Sequence, residues 1–190
     1  MLSSIINSLN ESLQSTKLFA KLFCLCEQIK NANGISAPME YTGKGQYKQV
    51  SNFDKYAGMG YWRKQGFVSV SAVQDSNSPS CDFLQEFTYG LRFVGAIPIS
   101  NLSIDDIYSE DRICEVIIKN IIKQSTSLKY AIKAKKIEIT TNGYETNGST
   151  ILTQEYDGLE KVDVNYKFKY FSIGFEVKVL IKKDCIIETC

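Results

Sequence analysis

The chain has 190 residues, 44% hydrophobic and 23% charged, with 22 Lys and Arg against 21 Asp and Glu for a net charge of +1. That profile excludes collagen-like, coiled-coil and disordered chains, and its charge balance gives counterion-release binding of nucleic acid nothing to drive it. No histidine is present, which removes Ser-His-Asp and Cys-His nucleophile systems and His-based zinc sites, leaving any enzyme to work through carboxylates, Lys, Tyr or Cys.

Residues 3–31 read as a long helix or two helices in line. Ile5, Ile6, Leu9 and Leu13 form one stripe, and Phe19, Leu22, Phe23, Cys26 and Ile29 continue it at helical spacing. Ser3 or Ser4 can cap the start, and Asn33-Gly34 supplies a left-handed stop. Residues 1–6 lack the basic and apolar regions of an export signal, and the apolar stretch 18–26 is too short to span a bilayer. The expectation is therefore a chain made and kept in a reducing cytoplasm, with Cys24, Cys26, Cys81, Cys114, Cys185 and Cys190 as free thiols.

From Tyr41 the texture changes to short aromatic and β-branched runs punctuated by glycine. Residues 41–50, 60–73 and 88–100 carry strands, with a hairpin arm at 61–66 turning at Gln65-Gly66 into a strand over 67–73. Residues 75–80 form an exposed loop by composition, and Pro98 ends or edges the strand over 91–99. A second helix covers 105–124, with Ile113, Val116, Ile117, Ile121 and Ile122 on its buried side. Asp105, Asp106, Glu110 and Asp111 at its start complement the helix dipole.

Residues 135–141 and 149–156 predict a hairpin whose tip, 142–148, projects as a loop. At the end of the chain Val164, Tyr166, Phe168 and Tyr170 alternate in one phase and Ile173, Phe175, Val177, Val179 and Ile181 in the other. The phase slip at 171–172 implies a bulge or break, giving a pair of strands or one long bent strand. The resulting class is α+β: a long N-terminal helix and a second helix packed on a mainly antiparallel or mixed sheet with projecting hairpin loops. It is read as one domain over 1–190, with a helical arm at 1–33 and the loop at 142–148.

Motifs that carry chemistry are weak. Gly43-Lys44-Gly45 and Gly58-Met59-Gly60 do not continue into a dinucleotide or phosphate loop and read as turn glycines. The pair Asp105 and Asp106 reads as capping rather than a cation site. Tyr and Phe interleaved with Lys, as at 166–170, fit either a stacking platform for single-stranded nucleic acid or a strand with one buried face. Exposed Tyr-rich faces also suit protein interfaces.

Lys outnumbers Arg by 19 to 3, as AT-rich coding produces. The segments Leu18 to Phe23, Pro38-Met39-Glu40-Tyr41, Gly43 to Val50, Gly60 to Gly66 and Tyr170 to Val177 together resemble small neck and tail structural proteins of tailed bacteriophages. The flavour is that of Bacteroidetes phages, including the crAss-like group. The resemblance covers most of the chain without a diagnostic motif.

What it implies is a head-to-tail connector or tail-terminator-like ring protein, stacked below the portal. Such a protein would grip copies of itself and neighbouring neck and tail proteins, with packaged DNA passing through its channel without sequence-specific binding. It implies residence in the virion after assembly in the host cytoplasm, with no catalytic residue, cofactor or metal. Tyr41, Tyr47, Tyr61, Trp62, Asn142, Tyr144 and Asn147 are the candidate subunit-interface residues. The alternative is a cytoplasmic small-molecule-binding domain or enzyme built on carboxylates and tyrosines, with a pocket near Tyr61, Trp62 and Arg92.

Overall fold

The computed structural model describes residues 1–30, 33–50, 57–74, 83–102, 110–157 and 164–182. In chain order its elements are α1 (Leu2–Gln14), β1 (Lys21–Lys30), β2 (Ser36–Gly43), β3 (Gln46–Gln49), β4 (Met59–Lys64), β5 (Ser69–Gln74) and β6 (Phe83–Pro98). There follow α2 (Glu110–Lys123), α3 (Ser125–Ala131), β7 (Lys136–Glu145), α4 (Gly148–Glu155) and β8 (Phe168–Lys182). The fold is α+β, an eight-stranded sheet in the order β3-β2-β1-β4-β6-β8-β7, with β5 also paired to β6. Every pairing is antiparallel except β1 with β4, which makes the sheet mixed.

The helix expected over 3–31 stops at Gln14. Ser15 Oγ and Thr16 Oγ1 turn back to donate to the carbonyls of Ser12 and Leu13, each at 2.6 Å, and Lys17 adopts φ +59, which no helix continues through. Residues 21–30 are a strand instead. Its apolar residues are divided between two cores, Leu22 on one face and Phe23 and Cys26 on the other. A strand buried on both faces loses its alternation and imitates a helical stripe.

Those two cores organise the molecule. On one face α1, α2 and α3 cover Trp62, Leu91, Phe93, Phe171, Ile173, Phe175, Val177 and Val179. On the other, α4 covers Phe23, Cys26, Met59, Tyr61, Val94, Ala96 and Tyr170. This division also explains the final strand. β8 pairs β6 from Phe168 to Lys182 without a register shift, so no bulge exists at 171–172. The change of phase marks where burial passes from the α4 face to the helix face of one continuous strand.

The hairpin expected at Gln65-Gly66 is absent. β4 pairs β6 over residues 91–96 and β5 pairs β6 over 83–88, so the two lie end to end along one neighbour. Gln65 N–H donates to the carbonyl of Gly90 at 2.8 Å at the join. A Cβ on Gly90 would meet the Gln65 carbonyl oxygen at 2.2 Å, so only glycine permits that crossing.

The 135–156 hairpin is also replaced. Residues 136–145 form β7 alone, with a bulge at Thr141 to Gly143 where Gly143 takes φ +105, and residues 148–155 form α4. Thus 142–148 is no projecting loop. The first Asn-Gly is a bulge and the second is a helix start, since Asn147 Oδ1 accepts from Thr150 N–H at 3.1 Å. In α2 the buried side holds Ile113, Ile117 and Ile121, while Val116 and Ile122 are exposed. The expected loop at 75–80 and the acidic start at Asp105 and Asp106 lie outside the described residues.

Candidate assembly surface

Arg63 of β4 and Arg92 of β6 are directly opposite one another. Two like charges in that arrangement destabilise a sheet, and α4 supplies the compensation. Glu155, 1% exposed, accepts from Arg63 Nη1 at 2.7 Å through Oε1 and from the Tyr61 hydroxyl at 2.9 Å through Oε2, with Arg92 Nη1 4.0 Å away. Gln154 Oε1 accepts from Arg92 Nη1 at 2.7 Å, and Gln28 Nε2 donates to the carbonyls of Gln154 and Glu155.

Burial first, and then the Glu155 charge, push Tyr61 well above the usual tyrosine range, so it stays a neutral donor. Tyr156 and Cys26 are pushed up chiefly by burial. Both carboxylate oxygens of Glu155 are engaged by the protein itself. The cluster's chemistry is that of a clamp holding α4 on the sheet.

Among the residues expected at subunit contacts, Tyr61 and Trp62 are 0% exposed. They lie on opposite faces, Tyr61 under α4 and Trp62 in the helix-face core, where its Nε1–H donates to Asn10 Oδ1 at 2.8 Å. The expected pocket joining them with Arg92 therefore has no common side of the sheet. Tyr41 and Tyr47 are exposed and face one another across β2 and β3, ring centroids 5.2 Å apart, and Tyr47 donates to Glu27. Asn142 is exposed at the β7 bulge; Tyr144, half exposed, donates to Asp111 Oδ1 at 2.8 Å and ties β7 to α2. Asn147 is spent on capping α4.

The most open apolar surface was not among these residues. Phe67, in the link between β4 and β5, is 99% exposed, and all six residues of β5 are exposed, Val70 and Val73 among them. Tyr130 and Tyr166 are also largely exposed. One sequence signal pointed this way: 69–74 contains no charge, unlike the usual solvent-facing edge. The expected hairpin partner concealed it.

Compared against protein-family models and curated proteins, the chain matches none. Among the described residues no group of three or more His, Cys, Asp or Glu is placed to hold a metal ion, and no helix is long and apolar enough to cross a membrane. Cys26 and Cys114 are buried thiols and Cys24 is an exposed one. Cys81, Cys185 and Cys190 lie outside the described residues.

Proposed function

We propose that this chain is a non-catalytic structural subunit that assembles with copies of itself into a ring, in the manner of the neck and tail proteins of tailed phages. The observation that carries the reading is the uncharged β5 edge, exposed at all six residues, with Phe67 beside it. A monomer gains nothing from leaving such a strand open and unprotected, whereas a closed assembly covers it. The absence of histidine and the use of Glu155, the one carboxylate buried among the described residues, as an internal clamp fit a scaffold better than a catalyst.

In this reading the partners are identical copies together with the portal and adjoining neck or tail proteins. DNA passes through the channel without sequence-specific contacts, consistent with a net charge of +1. Negative-stain imaging of the purified chain, alone and mixed with purified neck partners, is the test. Annular particles with a central channel support the reading; isolated subunits in both preparations refute it.

A further inference from the structure

At one end of the sheet the strands run β5-β6-β8-β7, each antiparallel to the next. This four-stranded stretch has two outer edges. Among the described strands β5 pairs only β6 and β7 pairs only β8, so both outer edges present free backbone donors and acceptors.

The two edges match in four respects. β5 has six residues, and β7 runs unbroken over 136–141, also six, before its bulge. Alternation across four strands leaves β5 and β7 pointing in opposite directions, so β7 of a neighbouring copy set beside β5 in the same orientation pairs antiparallel with it. Neither six-residue edge carries net charge, since β5 has no charged residue and within 136–141 Lys136 Nζ lies 2.5 Å from Glu138 Oε1.

The faces match as well. The register Val70–Phe87–Val179–Ile137 runs across the sheet in one row, and Phe87, Val179 and Ile137 belong to the helix-face core. Val70 and Ala72 are therefore on the same side as Ile137 and Ile139. A neighbour's β7 would bring its Ile137 and Ile139 against them and extend that apolar layer.

The third open edge differs. β3 is four residues long and contains Lys48, the kind of short, charged strand that discourages pairing.

We propose that copies of this chain join head to tail by antiparallel pairing of β5 of one copy with β7 of the next, making the sheet continuous around the assembly. This deepens the ring reading above and rests on it. A heterologous contact of this kind uses two different edges of each subunit and can close into a ring, whereas β5 pairing with β5 would stop at a dimer. The exposed Phe67, beside β5, would be covered by the incoming neighbour.

Successive N–H groups of a strand point to opposite edges, so one of two adjacent proline substitutions removes an outward donor and spares the internal ladder. The variants are Val70→Pro and Ser71→Pro on β5, and Thr140→Pro and Thr141→Pro on β7. Circular dichroism and melting select from each pair the one that keeps the parent's fold. Where neither does, Val70→Lys with Ala72→Lys, or Thr140→Lys, blocks the edge without touching the ladder. Sedimentation velocity then reads the assembly state of the full chain.

The expected result is that the parent assembles, each blocked variant alone is monomeric, and an equimolar mixture of the two forms dimers and nothing larger, because only one complementary pair of edges remains. A β7-blocked variant that dimerises alone overturns the head-to-tail contact in favour of β5 with β5. A parent that assembles while the blocked variants assemble equally overturns the pairing and leaves the ring reading standing. A parent that stays monomeric overturns both.

Discussion

Replacing Glu155 by Gln keeps the shape of the clamp beneath α4 and deletes its charge. In the parent, one carboxylate oxygen meets Arg63 at 2.7 Å and the other meets the Tyr61 hydroxyl at 2.9 Å, with Glu155 1% and the Arg63 side chain 20% exposed. Breaking a fully buried ion pair costs about 3–5 kcal/mol; because Arg63 still reaches water, about 2–3 kcal/mol is the expected loss here. Tyr61→Phe removes one hydrogen bond to a charged acceptor and is expected to cost about 2 kcal/mol. In a chain of this size each kcal/mol lowers the melting temperature by roughly 2–4 °C, so Glu155→Gln should melt about 5–10 °C below the parent.

Both substitutions act on one carboxylate, so the double variant should lose about 1 kcal/mol less than the sum of the singles, read by urea unfolding. Hydrogen exchange should locate the added opening at residues 148–155 and their β4 contacts. A Glu155→Gln variant that melts within about 1 °C of the parent would refute the clamp, since that corresponds to no more than the median exposed ion pair.

Stability should fall as pH rises past 10, the usual tyrosine value. Tyr61 and Tyr156 are held neutral by burial in the folded state, so the unfolded chain loses protons that the folded one retains, at about 1.4 kcal/mol per pH unit for each group. Phenolate absorbance that rises before unfolding at both sites would contradict this. Asn147→Ala deletes the cap of α4 and should cost about 1 kcal/mol in urea unfolding, with Asn147→Asp close to neutral. Ser172 is buried and its hydroxyl has no hydrogen-bond partner among the described residues, so Ser172→Ala should leave the urea midpoint unchanged or raise it. Maleimide labelling of the folded chain should modify Cys24 and spare Cys26 and Cys114 until unfolding.

The fold class was legible because α1, α2 and β8 each bury a regular stripe: Ile5, Leu9 and Leu13; Ile113, Ile117 and Ile121; Phe175, Val177 and Val179. What escaped were details of two strands that touch both cores. β1 reads as helix because Leu22 and Phe23 are buried on opposite faces, and β8 reads as slipping phase because Tyr170 and Phe171 are likewise both buried. The two Asn-Gly pairs near 142–148 have one composition and two uses, a bulge and a cap, which only long-range pairing of β7 with β8 distinguishes.

The candidate surface was less legible. Tyr61 and Trp62 looked like interface aromatics because adjacent strand residues face opposite ways, and nothing local tells that α4 closes one face and α1 the other. Glu155 had no visible role, since its partners are 92 and 94 residues away in sequence. The β5 edge was concealed by an expected hairpin that the close crossing of Gln65 over Gly90 replaces.

Sedimentation velocity of the unmodified full-length chain over a concentration series tests self-assembly most directly. The expected result is a discrete oligomer many times the 21.4 kDa subunit mass, growing in population with concentration. A single species at the subunit mass throughout the series would contradict the account.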